Sequence, residues 1–249
     1  MKILAVDIGG THVKALVSGQ RTPRRFVSGP TMTPGRMVKQ LKSLTADWAY
    51  QAVTLGYPGL VLNHRIVSEP HHLGNGWAAF DFRRAFGVKV QILNDAAMQA
   101  LGSYEGGRML FLGLGTGLGS AMIVDGLLEP MELAHLPYKK GRTYEDYVGI
   151  AGLKRLGKKK WRQSVVDVLE RLRTALEPDD IVLGGGNAKK LHELPAGVRL
   201  GENDNAFRGG FRLWQSPRRS HSGHAIRIQH PATEAPRAKP ARRRRVTSH

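Results

Sequence analysis

The first half of the chain alternates short apolar runs with turns rich in glycine and proline. Three runs predict neighbouring strands: KILAVDI at 2–8, HVKALVS at 12–18 and RRFVS at 24–28. Helical spacing of apolar residues over 33–48, with Pro34 near its start, predicts the first helix. The run AVTLGYPGLV at 52–61 predicts a buried strand that ends in a turn at Pro58 and Gly59.

The rest of the chain predicts further strands and longer helices. Additional strands are predicted at 64–70, 88–95, 109–115, 119–126 and 180–187. Helices are predicted at 76–87, 96–106, 143–157, 161–180, 188–194 and 205–214. Thr143 and Asp146 have the spacing of a capping box. Glycine-rich hairpins occur twice, at 9–10 and 115–119, and indicate two structurally related halves that face each other.

The composition fits a globular enzyme and limits its chemistry. The chain has 249 residues, of which 41% are hydrophobic, enough for a sizeable core. No apolar run approaches the roughly 20 residues of a membrane span, and MKILAVDIGG carries an acid inside its apolar run, unlike a secretory signal. The absence of cysteine excludes disulfides and thiolate zinc sites, and it favours a cytoplasmic protein.

Positive charge is concentrated near the C-terminus. The formal net charge is +18, and residues 215–249 contribute nine Arg or Lys against one Glu, which leaves +10 for the rest. This tail is rich in Pro, Ser, Arg and His and has few large apolar residues, so we expect it to be disordered. Its ARRRRV run suits nucleic acid, polyphosphate or acidic lipid, and the alternative is a merely solubilising tail.

The segment DIGGTHVK, which begins at Asp7, suits the binding of phosphate. Gly9 and Gly10 permit a sharp turn and a close approach to a ligand, and their backbone N–H groups form a nest for an anion. Thr11 adds a hydroxyl donor, Lys14 a positive charge, and Asp7 an oxygen ligand for Mg²⁺, directly or through water. The alternative is an ordinary β-hairpin in which a buried aspartate satisfies the turn.

Two later glycine segments repeat this logic. In GLGTGLGS, Thr116 and Gly117 lie in a hairpin turn where a phosphate fits, although such a hairpin is often only a turn. In IVLGGGNAKKL, Gly184, Gly185 and Gly186 link a strand to a helix, where a nucleotide can place anionic groups at the helix N-terminus. The spacing matches neither GxGxxG nor GxxxxGK[ST], so a structural turn and a nucleotide site both stay open.

Polar residues that suit a sugar hydroxyl follow these loops. Asn94 and Asp95 stand where a strand ends and a helix begins. A carboxylate at Asp95 suits a general base. The alternative is a helix N-cap, which Asn and Asp both favour and which the local sequence alone supports better. Glu132 and His135, followed by Glu145, can hydrogen-bond vicinal hydroxyls. The alternatives are a favourable first-turn charge for Glu145 and a surface histidine. A metal site here lacks further ligands at suitable spacing.

Taken together, these segments resemble the bacterial ROK sugar kinases, and among them the polyphosphate/ATP-dependent glucokinases. DIGGTHVK, LGYPGLV, LNDAAMQALG, GLGTGLGSAMI, ELAHLPY, YEDYVG and VLGGGN occur in the family's order, over about residues 1–214. The resemblance implies an α/β, actin-like (ribonuclease H-like) two-domain fold with a central cleft. We expect a small domain at 1–94, joined by the final helix near 205–214, a larger domain at 95–204, and the basic tail at 215–249.

The resemblance also implies roles by matching motif position. Asp95 is the expected base that takes the proton from the sugar 6-hydroxyl, and Asp7 is expected beside Mg²⁺. The residues expected to hold the sugar are Asn94, Gly59, Glu132, His135 and Glu145. Those expected to hold phosphate or nucleotide are Asp7, Gly9, Gly10, Thr11, Lys14, Thr116, Gly117 and, if ATP is used, Gly184, Gly185 and Gly186.

The chain departs from the family pattern at two points. Many members carry a Cys/His zinc motif, and a chain without cysteine implies no zinc. ELAH replaces the usual ELGH, so Ala134 is expected to add a methyl group near the sugar and to alter sugar preference. Family repressors carry an N-terminal DNA-binding domain, whereas this sequence opens on its first strand, which argues against a repressor.

The expected phosphoryl donor is polyphosphate, ATP or both, and the expected acceptor is glucose or a related hexose. Basic residues outside the tail would suit polyphosphate if they border the cleft, and would otherwise be a solvated helix face: Lys158, Lys159, Lys160, Arg162, Lys189, Lys190, Arg199 and Arg208. Two other classes stay open: a non-catalytic sugar- or polyanion-binding protein, and salt-dependent nucleic-acid binding through the tail. Dimers are common in the family, and the sequence leaves the oligomeric state open.

Overall fold

A computed structural model describes residues 1–202 and 204–215 as two five-stranded sheets and one two-stranded sheet, formed by the fifth and sixth strands, with helices packed on and between the two large sheets. The strands are β1 (Ile3–Ile8), β2 (His12–Val17), β3 (Arg24–Val27), β4 (Ala52–Tyr57), β5 (Val61–Leu62), β6 (Arg65–Ile66), β7 (Lys89–Asn94), β8 (Arg108–Leu114), β9 (Leu118–Val124), β10 (Leu127–Met131), β11 (Asp180–Gly184) and β12 (Val198–Leu200). The helices are α1 (Pro34–Leu44), α2 (Phe82–Phe86), α3 (Asp95–Ser103), α4 (Tyr144–Val148), α5 (Ile150–Leu176) and α6 (Asn205–Arg212). The predicted tail contact with polyanions falls outside the described residues.

The two sheets have the same topology. The first has the strand order β3-β2-β1-β4-β7 and the second β10-β9-β8-β11-β12. In each, three strands joined by hairpins pair antiparallel, and two further strands then add in parallel. Each sheet therefore has a glycine hairpin beside a parallel strand pair, which agrees with the two related halves predicted from the repeated glycine turns.

Local sequence explains where the helices begin. The Thr33 side chain accepts from the Arg36 amide at the start of α1, and Pro34 occupies the first turn, where a missing N–H costs nothing. The predicted capping box opens α4, since Thr143 accepts from the Asp146 amide and the Asp146 carboxylate accepts in return. Both features place a helix start at the predicted residue.

The longest helical segment is broken at a glycine. Within α5, Gly157 has a φ of 72°, which interrupts the helix between the predicted segments at 143–157 and 161–180. Trp161 is fully buried just after this break, and its indole Nε1 donates to the Val148 carbonyl at 2.8 Å. The break therefore lets the second part of α5 change direction while the tryptophan anchors it to the end of α4.

α3 and α6 pack between the two sheets. Gly102 of α3 lies so close to the Asn205 carbonyl that a β-carbon there would clash, and Gly209 of α6 lies equally close to the Met98 carbonyl. Thr54 of β4 donates its hydroxyl to the Gly210 carbonyl at 2.7 Å. α6 therefore covers the first sheet from the far end of the chain. The predicted domain boundaries at 94 and 204 stay a prediction.

The structure corrects several predicted elements. β10 was not predicted, because Glu129 and Pro130 interrupt its apolar pattern. β12 was also missed, because three residues give no periodicity. The helix predicted at 188–194 is only a 3₁₀ turn at Ala188–Lys190. Across the described ranges, no helix has both the length and the apolar character to cross a bilayer.

Candidate active site

The candidate site forms where parallel strands of the first sheet end. Asp7 pairs in register with Gly56 of β4, and β7 ends one strand further at Asn94. A β-carbon on Gly56 would lie 2.6 Å from the Met98 Cε atom and 3.6 Å from the Asp95 Cα atom. The glycine therefore makes room for the first turn of α3, which brings the Asp95 backbone next to Gly56, the register partner of Asp7.

Asn94 is the N-cap of α3, as local sequence favoured. Its side-chain oxygen accepts from the amides of Ala96 and Ala97, at 2.9 and 3.3 Å. Its amide nitrogen donates to the Gly59 carbonyl at 3.1 Å. Asn94 thus joins the turn after β4 to the start of α3. Its predicted contact with sugar would have to use the remaining N–H of the same amide group.

Asp95 occupies the first position of α3 and is only partly exposed. Burial raises the pKa of its carboxyl to about 7, the negative charge of Asp7 adds to the rise, and Glu132 contributes less. The Ala96 amide, which donates to Asp95 Oδ1 at 2.7 Å, opposes the rise. Two carboxylates from separate parts of the chain, Asp7 and Glu132, therefore add to the rise in the pKa of Asp95.

Asp7 lies at the end of β1 with a side chain 19% exposed. Burial raises its pKa, and the nearby Lys14 lowers it in part. Lys14 Nζ is 3.6 Å from Asp7 Oδ2, since the two residues face each other across β1 and β2. The lysine thus neutralises part of the acid's charge and remains nearly half exposed.

The first glycine loop is held from both of its ends. The Gly9 amide donates to the His12 carbonyl at 3.0 Å, and the Ser28 hydroxyl donates to the Gly9 carbonyl at 2.6 Å. The side chain of His72 lies against Gly10, where a β-carbon would be 3.0 Å from His72 Cβ. Thr11 at the tip is exposed. The loop is therefore fixed in place while its tip faces solvent.

The second glycine loop is enclosed by α4 and α5. The Ile150 amide donates to the Thr116 carbonyl at 3.0 Å. Glu145 Oε2 accepts from the Leu118 amide at 3.1 Å, and it occupies the space that a β-carbon on Gly117 would need. Glu145, predicted to bind sugar, therefore lies against the loop predicted to bind phosphate. Thr116 keeps an exposed side chain at the loop tip.

The turn after β11 packs against this second loop. Gly185 has a φ of +82°, and a β-carbon there would be 2.5 Å from the Leu114 carbonyl oxygen. The buried Asn187 donates from its amide to the Leu114 carbonyl and from its side chain to the Gly115 carbonyl, both at 2.9 Å. The structure therefore brings together two predicted glycine segments. Gly185 and Gly186 are exposed, while Gly184 lies buried at the end of β11.

Glu132 and His135 lie on the second sheet's side of the cleft. The imidazole Nε2 is 3.8 Å from Glu132 Oε1, and both side chains are mostly exposed. Glu132 also lines a cavity of about 380 Å³ together with Gly59 and Asn94, so three residues predicted to hold sugar share one concavity. The methyl group of Ala134 is buried in the core beneath the second sheet, and its expected place near the sugar stays a prediction.

The predicted basic residues differ in how much of their charge is paired. Arg199 forms ion pairs with Asp180 at 2.9 Å and Glu105 at 3.5 Å, and Arg208 pairs with Glu202 at 2.7 Å. Lys158, Lys159 and Lys160 are exposed on α5 after its break. Arg162 donates to the Lys190 carbonyl at 2.8 Å, and Lys190 to the Asn187 side chain.

Two residues at the site were not predicted. Asn187 could have been recognised, because the sequence places an amide side chain directly after three glycines. His72 carries no such signal, since its contact with Gly10 joins segments about 60 positions apart and depends on the folded loop. Sequence patterns report local structure, so a contact of this kind appears only in three dimensions.

Comparison with known proteins places the chain in a family. The model of the ROK family matches residues 3–129, about half of the chain, and the protein belongs to this family. It is 28% identical over 208 residues to the polyphosphate glucokinase of Mycobacterium tuberculosis, with 74% of this chain and 77% of that protein covered. The resemblance predicted from the motifs is thereby confirmed.

Solved structures agree on the fold. The inorganic polyphosphate/ATP-glucomannokinase of Arthrobacter sp. strain KM superposes with a TM-score of 0.74 at 22% identity, over 85% of this chain and 97% of that one. A ROK family glucokinase from Streptomyces griseus, solved with glucose and AMPPNP, gives 0.66 at 16% identity, over 86% and 99%. The predicted actin-like α/β fold is confirmed.

Proposed function

We propose that this protein is a sugar kinase that transfers a phosphoryl group from polyphosphate, ATP or both to the 6-hydroxyl of glucose or a related hexose. The observation that carries the proposal is Asp95, a carboxyl whose pKa is raised to about 7 at the start of α3. It lies in a cleft that also contains Asp7, Glu132 and the two glycine loops. Kinship with polyphosphate glucokinases supports this choice of reaction.

Asp95 acts as the general base in this proposal. Its carboxylate accepts the proton of the hexose 6-hydroxyl while that oxygen forms a bond to phosphorus and the bond to the donor's bridging oxygen breaks. A base whose pKa lies near the working pH combines a usable ionised fraction with real affinity for the proton. Such a base contributes about 10²–10⁴-fold to the rate. Asn94, Glu132, His135 and Glu145, with Gly59, are proposed to hold the sugar.

The glycine loops supply the phosphate site. Phosphoryl transfer depends mainly on positioning and on neutralising negative charge. The loop of Gly9, Gly10 and Thr11 is proposed to hold phosphates from one side, with the Gly9 amide already engaged by the His12 carbonyl, and Thr116 with Gly117 from the other. Lys14 adds a positive charge beside the first loop. Exposed Gly185 and Gly186 leave open backbone at the place proposed for adenosine when ATP is the donor.

Magnesium fits the residues present. The described part of the chain contains no group of three or more His, Asp or Glu placed to hold a metal. Mg²⁺ usually arrives with phosphate and needs only one or two protein carboxylates, with water and phosphate oxygens as its other ligands. Asp7, a single partly buried carboxylate at a strand end, suits that role directly or through water. A bound Mg²⁺ ion neutralises charge on the phosphates.

The proposal is tested by incubating the purified full chain with glucose and Mg²⁺ and offering ATP or polyphosphate separately. Glucose 6-phosphate is the expected product, and Asp95→Asn is expected to remove nearly all of it. Asp81→Asn is the matched control, because it makes the same change at the N-cap of α2, where asparagine caps equally well. A folded protein that forms no product from common hexoses with either donor would contradict the proposal and favour a binding protein.

A further inference from the structure

His72 lies on the first glycine loop. A β-carbon built on Gly10 would be 3.0 Å from His72 Cβ, 3.7 Å from Cγ and 4.0 Å from the ring atom Cδ2. The His72 side chain therefore lies against the loop at Gly10. Because Gly10 lacks a side chain, the ring is close to the backbone that we propose for phosphate binding.

The segment that carries His72 is fixed on both sides. Leu73 is buried in the core beside the first sheet, and the Gly74 amide donates to the Met32 carbonyl at 3.0 Å. Before it, the Tyr57 hydroxyl donates to the Ser68 carbonyl at 2.9 Å. After it, the Trp77 amide donates to Glu69 Oε2 at 3.1 Å. These contacts hold His72 in place without using its ring.

The ring nitrogens of His72 are not engaged within the described part of the protein. His72 is exposed, and among the described residues its ring interacts with the ring of His71, at 6.4 Å between centroids. An imidazole always offers at least one N–H donor and gains a positive charge when protonated. A fixed, solvent-facing donor beside a glycine turn suits a phosphate oxygen.

We propose that His72 binds the phosphoryl donor. Its imidazole donates a hydrogen bond to a phosphate oxygen of the polyphosphate or nucleotide held on the Gly9 and Gly10 loop. The assignment rests on the proposed function, since it takes this loop as a phosphate site. It places His72 on the phosphoryl donor rather than on the sugar, because its contact is with Gly10. The shared ligand chemistry is a chain of linked phosphates.

Direct binding of inorganic tripolyphosphate with Mg²⁺, measured by calorimetry on the full chain, tests the assignment. His72→Ala is expected to weaken binding about tenfold, the effect of losing one hydrogen bond to a charged group. His72→Gln, which keeps an N–H donor, is expected to recover part of the affinity. His71→Ala is the matched control, and it should change the affinity less than about twofold.

Steady-state kinetics complete the test with a separate readout. In His72→Ala, KM for polyphosphate or ATP should rise about tenfold, while KM for glucose stays within about twofold. Unchanged tripolyphosphate binding in His72→Ala, or an equal loss in His71→Ala, would overturn the assignment, as would a wild-type protein that binds no tripolyphosphate. A wild type that binds it through His72 yet phosphorylates no hexose would refute the kinase and leave the assignment standing.

Discussion

The two sheets share a topology but differ at the equivalent central position. In the first sheet, Asp7 pairs with Lys14 on one side and Gly56 on the other. In the second, the corresponding residue is Gly113, which pairs with Gly119 and Gly184. An ion pair in one half therefore corresponds to a row of glycines in the other.

The difference shows that two sheets of the same topology can carry different residue types at equivalent positions. The first sheet places charge at its strand ends, with Asp7 at the end of β1 and Asp95 directly after β7. The second sheet has glycines where neighbouring side chains need the space. A β-carbon on Gly119 would lie 2.8 Å from the Ala96 side chain, and one on Gly184 would lie 2.5 Å from the Phe111 ring. We infer that the first half carries the chemistry and the second half shapes the space around it.

Removing the charge at Asp95 gives the largest expected effect. Asp95→Asn should lower kcat by about 10²–10⁴-fold, because the asparagine cannot accept the proton. In the wild type, kcat/KM should rise with pH and level off above about 7, since the base acts only when ionised and its pKa is raised to about 7. Initial rates from pH 5 to 9 check this. A pH-independent rate, or an active Asp95→Asn, would show that the charge in this half does not drive the reaction.

Filling the space in the second sheet should cost stability more than filling the equivalent space in the first. Gly184→Ala places a methyl group against the rigid Phe111 ring and should lower the free energy of unfolding by about 1–3 kcal/mol. Gly56→Ala meets the flexible end of Met98, 2.6 Å away, and should cost less than about 1 kcal/mol. Urea unfolding of both variants measures the pair. An equal loss of unfolding free energy in both variants would mean that the two glycines are packed equally tightly.

The buried charge of Asp95 should also lower stability above neutral pH. Its folded-state pKa of about 7 exceeds the ordinary value of 3.8, so between these values the folded protein keeps a proton that the unfolded chain releases. Stability therefore falls as pH rises from about 4 to 7. We compare the effect of Asp95→Asn on the free energy of unfolding at pH 8 and at pH 5. The substitution should be more favourable at pH 8 by about 1–2 kcal/mol, a figure already reduced because Asp95 is partly exposed. A constant difference across pH in urea titrations would contradict the raised pKa.

The smallest expected effect concerns Glu145, which links the second loop to α4. Glu145→Ala should lower the free energy of unfolding by about 1 kcal/mol, because the Leu118 amide loses its acceptor. Glu145→Gln keeps an acceptor oxygen and should cost less than about 0.5 kcal/mol. Thermal unfolding compares the two variants. Equal destabilisation by both would indicate that the negative charge, rather than the hydrogen bond, holds the loop.

Much of this arrangement was predictable because it is local. The Thr143 and Asp146 capping box, the Asn94 cap and the glycine turns are set by neighbours within a few positions, so short patterns contain them. The placement of Asp7 near Asp95 follows from a general property of parallel strands, whose carboxyl ends meet at one sheet edge. The roles assigned to these residues remain predictions.

Other features depend on contacts that no short pattern records. The methyl group of Ala134 is buried in the core by the turn at Leu133–His135, and the ELAH pattern alone does not show this. β10 lies at a sheet edge, where polar residues and proline are tolerated, so its sequence does not look like a strand. His72 reaches Gly10 only because distant segments pack together.

The position of α6 has a consequence for synthesis of the chain. Ala5 and Leu16 of the first sheet are covered by Phe207 and Phe211, which are made only after every strand of the second sheet. During translation, the apolar face of the earliest strands therefore stays uncovered until nearly the whole described chain has left the ribosome. The half that is made first is finished last, so the nascent chain keeps this apolar surface of its N-terminal sheet exposed until α6 arrives.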